Sequence, residues 1–173
     1  MATVVKDRVQ VDTNIFTKSM NMVVNSVMEV LIEITYQRRL DPSFLLAVRK
    51  MLEDAFYIWL HERTLQALLL EISLPESANA LEAWELAFSY QDDPDSEVKR
   101  APTEELKRFA ETLKSLPPGS DYRIMVFLAP EAKKLEGWVQ ATRKNINPTT
   151  EKRFDKFGYG NLAGELRYTS GTV

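Results

Sequence analysis

His61 and its neighbour Glu62 are the two adjacent residues in this chain whose types best suit acid–base catalysis. A histidine titrates near neutral pH, and an adjacent carboxylate can orient its ring. The surrounding pattern predicts a hairpin, however, and adjacent residues of a strand point to opposite faces of a sheet. His61 is also the only histidine, so a histidine-based metal site cannot form. We interpret His61 as a structural or solvent-facing residue, with a small enzyme that uses His61 and Glu62 as an alternative.

Two other segments have only a superficial likeness to binding sites. Gly158-Tyr159-Gly160 is not followed by the lysine and the serine or threonine of a P-loop. The acidic run from Asp92 to Glu97 lacks the alternating oxygen ligands and central glycine of a calcium loop, so we predict a solvated loop there. Cysteine is absent, which excludes a disulfide framework and thiolate metal sites. The sequence therefore predicts no catalytic residue, no bound metal and no cofactor.

Length and composition are those of one globular domain spanning residues 1–173. Hydrophobic residues make up 45% of the chain and charged residues 27%, which suits a domain with a sizeable core. The formal net charge is -3 and the basic residues are spread out, so we predict no direct contact with nucleic acid. Residues 1–12 lack the apolar region of a signal peptide, and no apolar run reaches the roughly 18 residues of a membrane span. We expect a soluble, cytoplasmic protein without membrane contact.

The periodicity of the apolar residues predicts the elements that would position these side chains. Spacings of three and four from Phe16 to Tyr36 indicate a first helix, with caps at Asp12 to Asn14. Strict alternation from Trp84 to Tyr90 indicates a strand with four large apolar groups on one face. Thr103 is predicted to cap a later helix. The other predicted elements are a short helix after Asp41-Pro42 that uses Phe44, Leu45, Val48 and Leu52, a hairpin of strands 56–60 and 65–74, a helix from 103 to 116, and a strand at 122–129 covered on both faces.

The order of elements predicts an α+β fold, with helices packed on one face of a mainly antiparallel sheet. Leucines at 65, 68, 69 and 70 leave a helix as an alternative for the segment 65–74. Beyond Pro130 the chain contains five of the six glycines and no sustained helical stripe, so its segments are predicted to pair as short strands. This tail could be a mobile element or a fixed C-terminal hairpin.

Trp138 stands in a polar setting, between Gly137 and Val139, with no amphipathic element to explain it. A tryptophan in such a place can plug the edge of a core. It can equally anchor a bound peptide, because tryptophan is enriched at binding hot spots. The residues around Trp138 leave both interpretations open.

The chain resembles the HORMA family over nearly its whole length. The helix end Glu33-Ile34-Thr35-Tyr36-Gln37-Arg38-Arg39, followed by Leu40-Asp41-Pro42-Ser43-Phe44, is similar to the family's first helix and the turn after it. The resemblance implies a three-helix layer on an antiparallel sheet, with a mobile "safety belt" that closes over a "closure" peptide. It further implies a mobile N-terminal segment at 1–12, a core at 13–130 and a belt at 131–173.

The resemblance also implies which residues bind the peptide. The peptide would lie as an added strand, held by the predicted strand at 122–129 and the helix after Thr103, with Trp138 supporting the closed state. The implied peptide-binding residues are Leu106, Phe109, Tyr122, Ile124, Val126, Leu128 and Trp138. The implied belt residues are Phe157, Tyr159, Leu162, Leu166 and Tyr168.

The ending from Gly158 to Tyr168 and the lack of cysteine resemble the bacterial branch of the family. That branch implies a non-enzymatic signalling adaptor in antiphage defence, whose closed form binds and activates a cGAS-like nucleotidyltransferase. A second HORMA protein is a further implied partner. An AAA+ ATPase would reopen the domain by pulling on its N-terminal segment, through Val4, Val5, Lys6 and Arg8.

Overall fold

Four helices and a five-stranded sheet form the described part of the fold. The computed structural model describes the backbone of residues 2–171 and the side chains of residues 20–91 and 98–171. The sheet has the strand order β3-β1-β2-β5-β4, and every neighbouring pair is antiparallel. The elements are α1 (Ala2–Gln37), α2 (Ser43–Ala47), α3 (Arg49–His61), β1 (Leu65–Ser73), β2 (Glu82–Lys99), α4 (Thr103–Glu111), β3 (Asp121–Leu128), β4 (Pro148–Arg153) and β5 (Phe157–Gly171).

The sheet is covered by helices on one face, which we call the helix side. Buried residues of α1, α3 and α4 form one core cluster with Leu68, Leu70 and Trp84 of the sheet. Leu69, Ala83 and Met125 form a second, smaller cluster on the opposite face. This confirms the predicted α+β fold with helices packed on an antiparallel sheet. No helix in the described part of the chain is long and apolar enough to cross a membrane.

The first helix is longer than its apolar stripe predicted. It begins at Ala2 rather than near Phe16, so Asp12 to Asn14 lie inside the helix and do not cap it. Residues 2–37 contain neither glycine nor proline, so no residue in that stretch interrupts helix propagation. Val27, Leu31 and Ile34 are buried, as the stripe predicted. The side chains of Val4, Val5, Lys6 and Arg8 lie outside the described residues.

The predicted strand at 56–60 is wrong, because α3 continues through this segment to His61. Aromatic and branched residues suggested a strand, but the buried residues Leu52, Ala55, Phe56, Trp59 and Leu60 follow a helical spacing. The turn at 62–64 therefore joins a helix to β1 and does not close a hairpin. Residues 65–73 form a strand, so the alternative of a helix in this segment is wrong.

The alternation from Trp84 to Tyr90 does form part of a strand, with Trp84 and Leu86 buried. The predicted loop at 92–97 is wrong, because β2 continues to Lys99. The acidic residues gave a loop signal, but β5 runs alongside and pairs Asp95 with Gly160 and Lys99 with Gly158, with register shifts between these pairs. A partner distant in sequence thus extends the strand.

Three local predictions for α4 and β3 also need correction. Thr103 is the first residue of α4 and not its cap, and Pro102 at the cap position offers no side-chain hydrogen bond. The helix ends at Glu111, so Leu113 and Leu116 pack on the core from the following loop. The strand β3 is only half-buried along most of its length, because it is the outer strand of the sheet and not a central one.

A buried ion pair joins the end of α1 to the start of β2. Arg38 donates from Nε to Glu82 Oε2 at 3.0 Å and from Nη2 to Oε1 at 2.5 Å. Both side chains are buried. Arg38 Nη2 also donates to the carbonyl of Lys114 at 2.8 Å, and the indole of Trp84 donates to Glu82 Oε2 at 3.1 Å. This network ties the helix layer, the loop after α4 and the sheet together.

Candidate functional site

The glycine-rich tail contributes two strands to the sheet. β5 lies between β2 and β4, and its inward residues complete the core on the helix side. The ring of Tyr168 lies 4.6 Å from that of Trp84, between ring centroids. Burial, with a smaller effect of Glu82, raises the pKa of Tyr168 to about 12, so its hydroxyl stays neutral. Of the implied belt residues, Phe157, Leu162, Leu166 and Tyr168 are buried and Tyr159 is half-buried.

The structure does not bring all the implied peptide-binding residues together. Leu106 is fully buried in α4. Phe109 packs edge-on against Tyr168 at 5.0 Å and against Phe154 at 5.5 Å. α4 therefore lies over β2 and β5, away from β3, and its apolar residues complete the core there.

The strand β3 presents the remaining implied residues at an edge of the sheet. Tyr122, Ile124, Val126 and Leu128 all pack, half-buried, against the helix-side core. Within the described residues β3 pairs with β1 alone, so its other edge carries unpaired backbone groups. An open edge of this kind can accept an added strand.

Residues 129–147, which we call the crossing segment, leave β3 and first run along the helix side. The indole N–H of Trp59 in α3 donates to the carbonyl of Lys133 at 2.8 Å. Trp138 packs edge-on against Trp59, with 5.1 Å between ring centroids. Gly137 has a φ of +87°, and a Cβ there would lie 3.1 Å from Met51 Sδ. A glycine at 137 lets the segment pass close to α3.

The same segment then lies on the opposite face of the sheet. Ile146 packs against the cluster of Leu69, Ala83 and Met125. The carbonyl of Thr142 accepts a hydrogen bond from Arg123 Nη2 at 2.5 Å. Beyond this point Asn145 forms a parallel bridge with Asn79. The crossing segment therefore passes from one face of the sheet to the other beside β3.

This path makes a loop around the open edge of the sheet. Its two ends are held on opposite faces, and Val139 between them is 88% exposed. The crossing segment forms no strand beside β3. A ligand strand that paired with β3 would therefore lie inside the loop. We call β3 and the crossing segment together the edge site.

Exposed apolar side chains border the edge site, and none of them was assigned to a binding site from the sequence. Phe44 in α2 is 56% exposed and meets Tyr122 edge-on, at 6.4 Å between ring centroids. Met51 in α3 is 37% exposed beside Gly137. The sequence interpretation put both Phe44 and Leu45 on the buried side of their helix, but only Leu45 of the two is buried. The sequence did contain a signal that an apolar residue is exposed here. Residues 44–46 are three consecutive apolar residues, which is more than one buried helical stripe uses.

The surroundings of Trp138 have a feature that bears on each of the two interpretations that its sequence left open. Its ring packs on Trp59 and on the core, as a plug would. Its indole Nε1 is buried without an acceptor among the described residues. Buried donors of this kind are rare in folded proteins and call for an explanation. A ligand carbonyl at the edge site is one acceptor that would satisfy it.

His61 ends α3 on the surface, where its ring stacks on Tyr57 at 6.1 Å between centroids. Glu62 follows as the C-cap residue and is also exposed. No group of three histidine, aspartate or glutamate residues in the described part of the chain is placed to hold a metal ion.

We expect His61→Ala to leave the thermal unfolding midpoint unchanged, because the ring is at the surface and contacts Tyr57 of its own helix. Calorimetric unfolding of the variant and of the unaltered chain would measure this. A loss of function at unchanged stability would revive the hypothesis of an enzyme that uses His61 and Glu62.

Comparison with known proteins gives one family and one fold. The model of the family described as bacterial HORMA domain 2 matches residues 8–166. No curated protein sequence matches the chain significantly. A chain of the mitotic checkpoint complex superimposes with a TM-score of 0.75 at 13% identity, covering 90% of this chain and 99% of that one.

Two further solved structures share the fold. One is C. elegans HTP-2 bound to the HIM-3 closure motif, with a TM-score of 0.71 at 11% identity, covering 91% of this chain and 92% of that one. The other is the E. coli MS115-1 complex of CdnC with a HORMA protein, with a TM-score of 0.62 at 10% identity, covering 90% and 89%. These likenesses concern the fold.

Proposed function

The chain belongs to the bacterial HORMA domain family, and on this basis we propose that it is a non-enzymatic signalling adaptor that captures an extended closure peptide at the edge site. One observation carries the proposal: the crossing segment is held on both faces of the sheet and loops around the open edge of β3. That HTP-2 was solved with a closure motif bound supports the same ligand class for this fold.

The peptide would add a strand antiparallel or parallel to β3, which has eight residues. Backbone hydrogen bonds would supply affinity, and alternate side chains would meet the helix side. There the half-buried Tyr122 and the exposed Phe44 and Met51 offer an apolar surface. The loop would trap the strand, so release would need local opening of the crossing segment and would be slow.

Only part of the implied belt is free to open at low cost. Residues 148–171 form β4 and β5, and β5 buries Phe157, Leu162, Leu166 and Tyr168 against the core. The crossing segment lacks regular structure and is mostly exposed. We therefore assign the release of peptide to the crossing segment. The alternative, a scaffold with a fixed C-terminal hairpin, agrees with β4 and β5 but gives no role to the loop around β3.

A cGAS-like nucleotidyltransferase is the proposed downstream partner, supported by the solved complex of a bacterial HORMA protein with CdnC. In this proposal the peptide-loaded form binds and activates that enzyme in antiphage defence. An AAA+ ATPase would reopen the domain by pulling on the start of α1, near Val4, Val5, Lys6 and Arg8. Adding loaded or unloaded chain to such an enzyme and measuring nucleotide product would test the first step.

The test of peptide capture is selection from a random library. The full chain is immobilised, and displayed peptides of about ten residues, long enough to cover β3, are selected for slow release. We expect enriched sequences that alternate apolar residues. Two outcomes would contradict capture along β3. One is failure to enrich any peptide. The other is enrichment of peptides that also bind the double variant Ile124→Pro with Val126→Pro, because proline alters the edge backbone with which the peptide would pair.

Trp138→Ala is expected to raise the dissociation rate of a selected peptide about 10- to 30-fold, since tryptophan hot spots contribute about 2 kcal/mol or more. The physical reason is the loss of the ring on Trp59 and of the free indole donor. Stopped-flow or surface-binding kinetics would measure the rate. Gln140→Ala, at an exposed neighbouring position, is the matched control. An unchanged rate with a lower unfolding midpoint would make Trp138 a core plug only.

A further inference from the structure

Glu71 is a carboxylate on β1 that points away from the helix layer and yet is fully buried, with 0% of its side chain exposed. Its Oε1 accepts a hydrogen bond from Arg123 Nε on β3 at 2.7 Å. Its Oε2 accepts a hydrogen bond from the backbone N–H of Lys144 at 3.0 Å. A buried carboxylate needs such partners, because burying an unpaired charge is costly. One of the two partners belongs to the crossing segment.

Arg123 extends the same network. While Nε binds Glu71, Nη2 donates to the carbonyl of Thr142, two residues before Lys144. The Lys144 ammonium in turn donates to Ser73 Oγ at 2.8 Å and to the carbonyl of Leu74 at 3.2 Å. The planar guanidinium can hold both acceptors at fixed geometry, which a lysine cannot do. Two backbone groups of the crossing segment are thus bound to one ion pair, whose carboxylate is buried and whose guanidinium is 37% exposed.

The crossing segment has further polar contacts here besides those of the Lys144 ammonium. The carbonyl of Asn145 accepts a hydrogen bond from the N–H of Ala80 at 2.8 Å. Arg143 approaches Glu85 at 3.6 Å, and Glu85 is 25% exposed and also faces Arg167 at 3.7 Å. A pair at this separation with a partly exposed carboxylate contributes less than one at 2.7 Å with a buried carboxylate. Ile146 adds an apolar contact. Among the described contacts, the Glu71–Arg123 pair is the one that binds two backbone groups of the segment at once, so its loss would loosen the end of the loop on the opposite face.

We propose that Glu71 and Arg123 form a latch that positions Thr142 and Lys144 and sets how often the loop around β3 opens. They act through the crossing segment and do not need to touch the peptide. The consequence for peptide lifetime rests on the proposed function, whereas the latch itself can be measured on the protein alone.

The test uses the full chain without any peptide. In Glu71→Gln we expect the amide hydrogen of Lys144 to exchange about 10- to 100-fold faster by NMR, the factor expected for losing a hydrogen bond to a charged acceptor. Exchange in the centre of β1 and β2 should stay unchanged. Trypsin should cleave faster after Arg143 and Lys144. Glu85→Gln, at the exposed pair on the same segment, should change neither rate.

Arg123→Lys is the second variant, because it keeps the charge beside Glu71 but loses the fixed fork to Thr142. It should raise exchange at Lys144 less than Glu71→Gln does. Unchanged exchange at Lys144 in a folded Glu71→Gln chain would overturn the latch. Should Glu71→Gln not fold, unchanged exchange in Arg123→Lys would do the same. Faster exchange in a chain that captures no library peptide would keep the latch and reject peptide capture.

Discussion

A disulfide between Asn79→Cys and Asn145→Cys is expected to stop peptide exchange at the edge site. The two residues form a parallel bridge, and the N–H of Ala80 donates to the carbonyl of Asn145 at 2.8 Å. Bridged neighbours lie about 5 Å apart, within the Cα range of disulfides. The bond would fasten the end of the loop that must open. The empty oxidised chain should then fail to load peptide, and the loaded oxidised chain should fail to release it.

The chain offers clean controls for this lock. It contains no cysteine, so the two introduced residues have no other partner. Both positions are exposed, so a reductant should reach the bond and restore binding and release. As a further control, the peptide is fused between two folded proteins. Such a peptide cannot leave by sliding lengthwise through the closed loop. Equal exchange rates in the oxidised and reduced forms would mean that the peptide does not lie inside the loop.

Glu82→Ala is expected to have the largest effect on stability among single changes at polar residues. It leaves Arg38 buried without its carboxylate and removes the acceptor of the Trp84 indole. Removing one partner of a buried ion pair costs about 3–5 kcal/mol, a large part of the stability of a domain of this size. Urea unfolding followed by fluorescence would report the free energy of unfolding.

A double variant distinguishes the effect of the two charges from the effect of the volume that their side chains fill in the core. Arg38→Met with Glu82→Leu removes both charges and keeps the apolar volume, so it should recover much of the lost stability. Asp54→Ala breaks the exposed pair with Lys50 and should leave the urea midpoint unchanged. A midpoint for Glu82→Ala equal to that of Asp54→Ala would show that the buried network does not stabilise the fold.

Local periodicity predicted the parts of the fold that local contacts decide. The structure confirms the helix predicted from the stripe of α1 and the strand predicted from the alternation from Trp84 to Tyr90. Both could be predicted because the buried face of an element repeats with the period of its backbone. The strand prediction for residues 56–60 was wrong because it gave more weight to their aromatic composition than to the helical spacing of the buried residues, which is also present in the sequence. The extension of β2 to Lys99 had no local signal, since its cause is β5, far along the chain.

The candidate site was predictable only in outline. Trp138 could be found because it stands alone in a polar segment, and β3 because of its apolar run. The separation of Phe109 from β3 could not be predicted, since which strands α4 covers depends on tertiary packing. The path of the crossing segment rests on contacts such as Lys144 with Glu71, between residues that no spacing rule relates. The resemblance to HORMA domains predicted a segment that closes over a peptide. Only the structure shows where the two ends of the crossing segment are held.

The position of β5 has a consequence for synthesis on the ribosome. β2 pairs on one side with β1, which is made just before it, but on the other side Glu82 pairs with Ser170. Until residue 171 has left the exit tunnel, one flank of β2 has no neighbour and Trp84 lacks the ring of Tyr168. Such long-range pairing slows folding and leaves a nascent sheet edge open to other chains. Newly made copies of this protein should depend on chaperones that shield that flank until β5 has emerged and paired with β2.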